Sequence, residues 1–308
     1  MEGLDKFRLL VVGGSGFIGW HVVKEGVGRG WQVDSLGLNE PLATRRVLGA
    51  SYIVGDITLP EKLSEVAKIK YDFVVNLSGY IDHTLFFSGG RHLITTHFEG
   101  LLNLIECLEK THLKRFVQIG SSDEYGEAAA PQYEDSREQP ISPYSLSKVA
   151  GTHFLQMLHR TEGFPAVILR LFLTYGPNQD HKRFLPQVIK GCLDDKPFPT
   201  SNGEQLRDFC YIDDTVRAIY NVFECDDTNG QVFNVGSGLP ISIKELISRV
   251  CEITRKGQPQ FGKLHYRPAE NMALYADVNK IQRVIGWKSE VNLDTGLAQT
   301  IEWIKNAN

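Results

Sequence analysis

The sequence contains no apolar run that approaches the roughly 20 residues of a membrane-spanning helix. It also has no excess of basic residues, because 33 lysines and arginines are balanced by 37 aspartates and glutamates, which leaves a net charge of −4. This balance provides no positive field that would attract nucleic acid or an anionic membrane surface. We therefore expect neither as a partner, and function should come from a local site.

Cysteine is scarce as well. The five cysteines are widely spaced and form no Cys-x-x-Cys pair, which disfavours a disulfide framework and a zinc site, so no bound metal is expected. Free thiols are typical of a reducing compartment, and the first six residues do not resemble a signal peptide. The sequence thus predicts a cytoplasmic protein. Its 42% hydrophobic residues are enough to bury a large core.

In the first half of the chain, short apolar runs rich in β-branched residues alternate with longer amphipathic stretches. This alternation predicts parallel βαβ units, an α/β fold with helices on both faces of a doubly wound sheet. After Tyr175, proline and glycine become frequent, which predicts a smaller and less regular second domain. Strands are predicted at residues 8–12, 32–36, 52–54, 73–77, 115–119 and 166–172, and helices at 18–28, 61–66, 92–108, 144–161, 243–254 and 295–305.

A glycine-rich turn, Val-Val-Gly-Gly-Ser-Gly-Phe-Ile-Gly at residues 11–19, joins the first predicted strand to the first helix. Glycines there allow a tight turn, close approach of the backbone to a pyrophosphate, and close packing of helix on strand. The helix N-terminus offers free N–H groups and a favourable dipole to the anion. This context predicts a dinucleotide-binding, Rossmann-type domain over residues 1–172. The predicted contacts are Gly13, Gly16, Phe17, Ile18 and Gly19.

The choice between NAD(H) and NADP(H) depends on the residues after the second predicted strand. Gly37 stands where an acidic residue usually binds the adenosine ribose, and Asp34 falls within the strand. Arg45 and Arg46 follow, either to meet a 2′-phosphate or to begin a solvated surface segment. The pattern slightly favours NADP(H). Further cofactor contacts are predicted where later strands end, at Asp56, Ile57 and Leu77.

Tyr144 and Lys148 are four residues apart at the start of a predicted helix, so their side chains share one face. An ammonium group beside a phenol favours the phenolate and lowers a pKa that is ordinarily about 10. A tyrosine tuned in this way can exchange a proton with a sugar hydroxyl while hydride leaves or arrives on the same carbon.

The fifth predicted strand ends in Gly-Ser-Ser-Asp-Glu-Tyr-Gly, at residues 120–126. We expect Ser122 to hydrogen-bond the reacting oxygen. Asp123 and Glu124 are paired carboxylates at the carboxyl end of a strand, where open α/β sheets place their ligands. They are either a catalytic acid and base or part of a solvated turn.

In these motifs the chain resembles the extended short-chain dehydrogenase/reductase family, in particular its nucleotide-sugar epimerases, dehydratases and reductases. The glycine turn is similar to the family's cofactor motif, and Ser122, Tyr144 and Lys148 are similar to its catalytic triad. The resemblance extends over nearly the whole chain. Further segments that resemble the family are residues 170–177, 207–214 and 232–236.

The resemblance implies that a nucleotide-diphosphate sugar binds mainly to a smaller α/β domain over residues 173–308, from which some segments return to the first domain. Arg207, Arg267 and Asn234 are the implied substrate-binding residues, because guanidinium groups bind phosphate oxygens bidentately. A homodimer is implied as well, formed through the predicted helices 92–108 and 144–161.

The chain departs from the family at two positions where relatives usually carry asparagine, Leu173 and His97. Leucine removes a polar contact that often reaches the substrate, so the orientation of the sugar does not follow from the resemblance. We expect His97 to support the packing of the helix that carries Tyr144.

Three chemistries at C4 of the sugar compete. The Ser-Asp-Glu segment resembles that of 4,6-dehydratases, but one residue is missing before Tyr125, and the shorter turn is closer to reductases of 4-keto-6-deoxy nucleotide sugars. An epimerase needs only the serine, tyrosine and lysine. The sequence favours the reductase, with a 4-epimerase or 4,6-dehydratase holding NAD tightly as the alternative and a non-catalytic dinucleotide sensor as a remote one. The product would serve polysaccharide synthesis.

Overall fold

The computed structural model describes residues 7–266 and 270–307. By their contacts they form two compact units. The first comprises the chain up to Glu127, Arg137–Arg170 and Val216–Phe233, and the second comprises Ala128–Ser136, Leu171–Thr215 and the chain from Asn234 onward. Within the described ranges, no helix has the length and apolar character needed to cross a membrane.

Seven strands form the main sheet, in the order β10-β6-β5-β4-β1-β2-β3. Neighbouring strands from β3 to β5 run parallel, which confirms the predicted Rossmann-type doubly wound fold. The strand order reverses between β1 and β4, and ligands of such sheets bind beyond the carboxyl ends at that point. The strands are β1 (Arg8–Val12), β2 (Gln32–Gly37), β3 (Ser51–Val54), β4 (Phe73–Asn76), β5 (Arg115–Ser121), β6 (Ala166–Leu171), β7 (Leu173–Tyr175), β8 (Pro197–Pro199), β9 (Leu206–Tyr211), β10 (Val232–Val235), β11 (Pro240–Ser242), β12 (Gln258–Gln260) and β13 (Ala273–Leu274).

The predicted helices are present with two departures, and three further helices, at Phe184–Leu193, Ile212–Phe223 and Asn279–Ile285, were not predicted. The helix predicted over residues 61–66 consists of a 3₁₀ helix, Pro60–Leu63, and α2. The single helix predicted over residues 92–108 consists of α3, a π-helical segment at Thr95–Glu99, and α4. The helices are α1 (Phe17–Gly28), α2 (Ser64–Ala67), α3 (Arg91–Ile94), α4 (Gly100–Cys107), α5 (Pro143–Glu162), α6 (Phe184–Leu193), α7 (Ile212–Phe223), α8 (Ile243–Thr254), α9 (Asn279–Ile285) and α10 (Leu293–Ala307).

The core of the first unit lies against the main sheet. Residues Leu9 to Val12 of β1 are apolar and at most 2% exposed, because helices cover both faces of a parallel sheet. Leu10 and Val12 belong to one buried cluster with side chains of β4, β5 and α4, among them Val74, Phe116 and Leu104. A rigid sheet of this kind holds the loops at its carboxyl edge in place.

The second unit is built around β9, which pairs with β7, β11 and β13. At its centre the carboxylate of Asp208 is completely buried and accepts backbone hydrogen bonds from Ser237, Gly238 and Ala276 at 2.6, 3.0 and 3.1 Å. These bonds satisfy the buried charge and tie the loop after β10 to β9. Asp208 is therefore a structural residue of this unit.

Candidate active site

The glycine turn is packed too closely for side chains at two of its positions. Gly13 has a φ of +83°, and a Cβ on Gly19 would lie 2.2 Å from the carbonyl oxygen of Gly13. Gly16 is the N-cap of α1 and has no side chain that could cap the helix. Among the residues described, the first turn of α1 contains no acidic residue. The first N–H groups of α1 therefore keep their attraction for an anion, and the turn fits a dinucleotide pyrophosphate.

Gly19→Ala is expected to destabilise the protein by about 1–3 kcal/mol and to weaken NAD binding, because the added methyl group would collide with backbone that cannot move aside. Gly28→Ala is the matched control in the same helix, since a Cβ there has no atom within 4 Å. Urea unfolding and the amount of dinucleotide that each purified variant releases on denaturation would measure both effects. Equal behaviour of the two variants would contradict the close packing.

The other predicted cofactor residues lie near the carboxyl ends of β2, β3 and β4. Oδ1 of Asp56 accepts hydrogen bonds from the amide and the hydroxyl of Thr58, at 2.8 and 2.7 Å. Ile57 is buried, and Leu77 places its carbonyl oxygen against Gly13. Arg45 lies on a short 3₁₀ helix, Ala43–Arg45, after β2. Their roles toward a cofactor stay predictions.

Arg46 is engaged in a surface network. Its guanidinium group pairs with Glu40 and lies 5.0 Å from the ring centroid of Tyr52. Both contacts hold the side chain on the surface after β2, so Arg46, weighed as a binder of a 2′-phosphate, already has partners within the protein.

Tyr144 and Lys148 lie on the first turns of α5, which begins with a cap formed by Ser142. Both side chains are buried, and Nζ of Lys148 lies 5.8 Å from the centroid of the Tyr144 ring. Nζ also donates a 2.9 Å hydrogen bond to the carbonyl oxygen of Ile119 on β5. The helix thus places a phenol and an amine together beside the carboxyl end of β5.

Burial lowers the pKa of Lys148 from 10.5 to about 8, although the nearby carboxylate of Glu124 acts in the opposite direction. Between pH 8 and pH 10.5 the unfolded chain therefore binds more protons than the folded chain, and the free energy of unfolding rises with pH. From pH 8 to pH 10.5, we expect the free energy of unfolding of the cofactor-free wild-type protein to rise by up to about 3 kcal/mol more than that of Lys148→Met. Urea unfolding at several pH values would test it, and identical pH profiles would contradict it.

Ser122 and Asp123 begin a 3₁₀ helix, Ser122–Tyr125, directly after β5. Ser122 is buried at the same edge of the sheet as Lys148, whereas the side chain of Asp123 stays 29% exposed. This 3₁₀ helix is in contact with α5, the helix that carries Tyr144 and Lys148. The catalytic roles of Ser122 and Asp123 stay predictions.

Glu124 points the other way, into the protein. Its carboxylate is fully buried and accepts hydrogen bonds from the Ser121 amide at 2.9 Å, the Thr152 hydroxyl at 2.8 Å and Nε of Arg170 at 2.9 Å. Arg170 is also fully buried and makes a second ion pair with Glu138. The predicted role of Glu124 as an acid or base is untested, but these contacts favour a structural role.

His97 lies in the π-helical segment and packs edge to face against the ring of Tyr144, with centroids 4.9 Å apart. Nε2 lies 3.0 Å from the carbonyl oxygen of Tyr80, which can only accept, so Nε2 carries the proton. Burial, with the charge of Lys148, lowers the pKa of His97 to about 3 and keeps the ring neutral. The contact agrees with the expected packing role.

His83 was missed by the sequence analysis. It lies in the loop between β4 and α3, and its ring packs edge to face against Tyr144 with centroids 6.1 Å apart. Nε2 of His83 is 3.8 Å from Oδ2 of Asp123. A polar loop after a central strand was the available signal, because such loops line the ligand edge of the sheet.

The predicted substrate residues belong to the second unit. Arg207 pairs with Glu270 and donates a 2.8 Å hydrogen bond to the carbonyl oxygen of Leu206. The Asn234 amide is buried and donates to the backbone carbonyl oxygens of Gln132 and Asp277. Both side chains thus hold the unit together, and substrate binding by them stays a prediction. Arg267 lies outside the described residues.

Comparison with known proteins identifies the family of this chain. The NAD dependent epimerase/dehydratase family matches residues 9–236. Over 96% of its length the chain is 28% identical to a probable dTDP-glucose 4,6-dehydratase of Sinorhizobium fredii and 26% identical to dTDP-glucose 4,6-dehydratase 1 of Escherichia coli, and in each case 92% of the relative is covered.

Among solved structures, the fold is similar to that of UDP-glucose 4-epimerase with UDP-glucose from Thermotoga maritima, with a TM-score of 0.91 and 26% identity over 98% of this chain and 99% of the other. It is also similar to UDP-glucuronic acid 4-epimerase from Bacillus cereus in complex with UDP-glucuronic acid and NAD. There the TM-score is 0.87 and the identity 27%, over 98% of this chain and all of the other.

Proposed function

Because the chain belongs to the NAD-dependent epimerase/dehydratase family of extended short-chain dehydrogenases, we propose that it oxidises C4 of a nucleotide-diphosphate sugar and returns the hydride to the sugar within one turnover. That course is shared by 4-epimerases and 4,6-dehydratases. The observation that carries the proposal is the buried Tyr144–Lys148 pair beside the carboxyl end of β5. The relatives that act on dTDP-glucose and UDP-glucose support this substrate class.

Three residues carry out the proton transfer at the C4 hydroxyl group. Tyr144, as the phenolate, takes the proton of the C4 hydroxyl, and the Lys148 ammonium stabilises the negative charge of that phenolate. Ser122 hydrogen-bonds the C4 oxygen and holds it toward Tyr144. The nicotinamide, when bound, accepts the C4 hydride and later gives it back. A neutral His97 fits beside the phenolate, because a second cation there would compete with Lys148 for it.

Oxidation at C4 followed by return of the hydride requires a cofactor that stays bound between turnovers. We propose NAD, since it is the cofactor bound in the Bacillus cereus epimerase. A reductase that prefers NADP(H), the reaction favoured by the sequence, would instead release an oxidised cofactor after each cycle. The sequence favoured that reaction because of the short turn after the fifth strand and the missing ribose acid. Its preference for NADP(H) also drew on Arg45 and Arg46, of which Arg46 is held by Glu40 and Tyr52.

The test is to purify the protein without added cofactor, denature it, and identify the released nucleotide. We expect NAD in near-stoichiometric amount. The protein would then convert UDP-glucose or dTDP-glucose without added cofactor, as followed by mass spectrometry and NMR of the sugar. An empty site that consumes added NADPH with a 4-keto sugar would overturn the proposal in favour of the reductase.

A homodimer through α4 and α5 belongs to the same proposal and rests on the resemblance to the family. The exposed face of α5 carries Leu146 and Met157, 50% and 37% exposed. Sedimentation equilibrium would measure the mass, and Leu146→Glu is expected to shift it toward the monomer. An unchanged mass in that variant would argue against α5 as the interface.

A further inference from the structure

Two side chains from separate loops meet next to Tyr144. His83 comes from the loop between β4 and α3, and Asp123 from the 3₁₀ helix after β5. Their closest atoms, Nε2 and Oδ2, are 3.8 Å apart, close enough for a charged pair. The main sheet brings the two loops together, because β4 and β5 are adjacent parallel strands whose carboxyl ends lie side by side.

The pair remains accessible although Tyr144 is buried. The side chains of His83 and Asp123 are 46% and 29% exposed, whereas Tyr144 as a whole is 4% exposed. The imidazole ring packs edge to face against the phenol ring, with centroids 6.1 Å apart. A substrate that reaches Tyr144 therefore finds an imidazole and a carboxylate beside the phenol.

Glu124 does not supply a second proton-transfer group. Both of its carboxylate oxygens accept hydrogen bonds, and its side chain has no exposed surface. An Asp-Glu pair acting from adjacent positions would require Glu124 to break its buried ion pair with Arg170, which is costly. The side chain beside the Asp123 carboxyl group is that of His83, and Glu124 points away from it.

We propose that His83 and Asp123 form a second proton-transfer pair that acts on the 4-keto sugar formed at Tyr144. The proposal rests on the proposed oxidation at C4 and selects elimination of water as the step that follows it. A ketone at C4 acidifies the proton on C5, and imidazole is the side chain that most often transfers protons in enzymes. The substrate class is therefore a nucleotide-diphosphate hexose with a hydroxyl group on C6.

The step balances in atoms and electrons. The reacting form of the pair is a neutral His83 imidazole and a protonated Asp123 carboxyl group. His83 removes the C5 proton, the C5–H electron pair forms the C5–C6 double bond, and the C6–O bond breaks. Asp123 gives a proton to the departing oxygen, which leaves as water, and a proton passes from His83 to Asp123, so that the pair ends as it began. The hydride taken from C4 then adds to C6, and a proton from solvent adds to C5 through His83. The product is the 4-keto-6-deoxy sugar.

The experiment uses the NAD-loaded protein with dTDP-glucose or UDP-glucose in deuterium oxide. The wild-type protein is expected to form the 4-keto-6-deoxy product with solvent deuterium at C5, detected by NMR. His83→Gln and Asp123→Asn are expected to form it about 10²-fold or more slowly. Both should still produce reduced nicotinamide on mixing with substrate, because Tyr144 and Lys148 are intact, and that absorbance also shows that the variants are folded.

His92→Gln is the matched control. His92 follows the same loop, and its Nε2 lies 3.9 Å from Oδ2 of Asp82, nearly the separation of the proposed pair. Its ring stacks on Tyr80 and makes no such contact with Tyr144. We expect its rate of product formation to equal that of the wild-type protein. A slow His92 variant would mean that any change in this loop impairs the enzyme, and would overturn a specific role for His83.

Two further results would overturn the proposal, and they separate it from the proposed oxidation. If the wild-type protein forms the 4-epimer without deuterium at C5, or if His83→Gln and Asp123→Asn match the wild-type rate, the pair has no role in elimination, while oxidation at C4 stands. If the wild-type protein never produces reduced nicotinamide or a turnover product with either sugar, the oxidation at C4 fails, and elimination fails with it.

Discussion

Tyr144→Phe is expected to lower kcat by about 10²–10⁴-fold, because the variant lacks the phenolate oxygen that takes the C4 proton. The phenyl ring keeps the edge-to-face contact with His97, so folding and NAD content should remain those of the wild-type protein. The measurement is the single-turnover rate of nicotinamide reduction with UDP-glucose or dTDP-glucose, together with the thermal unfolding midpoint.

Tyr80→Phe is the control for this experiment. Tyr80 is 51% exposed, and it contacts His97 through its backbone carbonyl oxygen, which the substitution leaves in place. The control should reduce nicotinamide at the wild-type rate. A Tyr144 variant that does the same would show that another group takes the proton, and would remove the observation on which the proposed function depends.

Arg170→Met is expected to lower the free energy of unfolding by about 3–5 kcal/mol, because it leaves the buried Glu124 carboxylate without its cation. Neither partner has any exposed side-chain surface, so water cannot replace the lost contact. Urea unfolding would measure the loss. Adding Glu124→Leu to this variant should recover part of it, since the unpaired charge is then gone.

Asp123→Asn distinguishes the two adjacent acids. The Asp123 side chain is partly exposed, so we expect its substitution to change the free energy of unfolding by no more than about 0.5 kcal/mol. If Arg170→Met unfolds like the wild-type protein while Glu124→Gln loses only activity, Glu124 is a catalytic group and the structural role assigned to it is wrong.

Local sequence was sufficient to predict the parts of the site that depend on backbone periodicity. Two side chains four residues apart on a helix share a face in any protein, so Tyr144 and Lys148 were placed together without knowledge of the rest of the chain. The glycine turn was equally local, because a strand, three glycines and a helix define the cradle for a pyrophosphate. The doubly wound sheet followed from the alternation of strands and helices.

Only the tertiary structure separated Asp123 from Glu124. They are adjacent in sequence and chemically alike, but the 3₁₀ helix after β5 turns one side chain outward and the other toward Arg170, which stands 46 residues away in the chain. The same is true of Asn234, whose amide binds backbone 102 and 43 residues distant. Sequence spacing carries no information about such partners.

His83 shows most clearly why some site residues are found only in the tertiary structure. The sequence shows only that His83 lies in a loop after a central strand, and its proximity to Asp123 and Tyr144 arises because β4 and β5 pair in parallel and α5 packs beside β5. The sequence by itself determined the alternation of strands and helices, the cofactor turn and the tyrosine–lysine pair, since short-range geometry decides them. It predicted six strands, and the seventh strand of the sheet, β10, joins it only through the tertiary structure. Which acids and histidines stand beside that pair was decided by long-range packing alone.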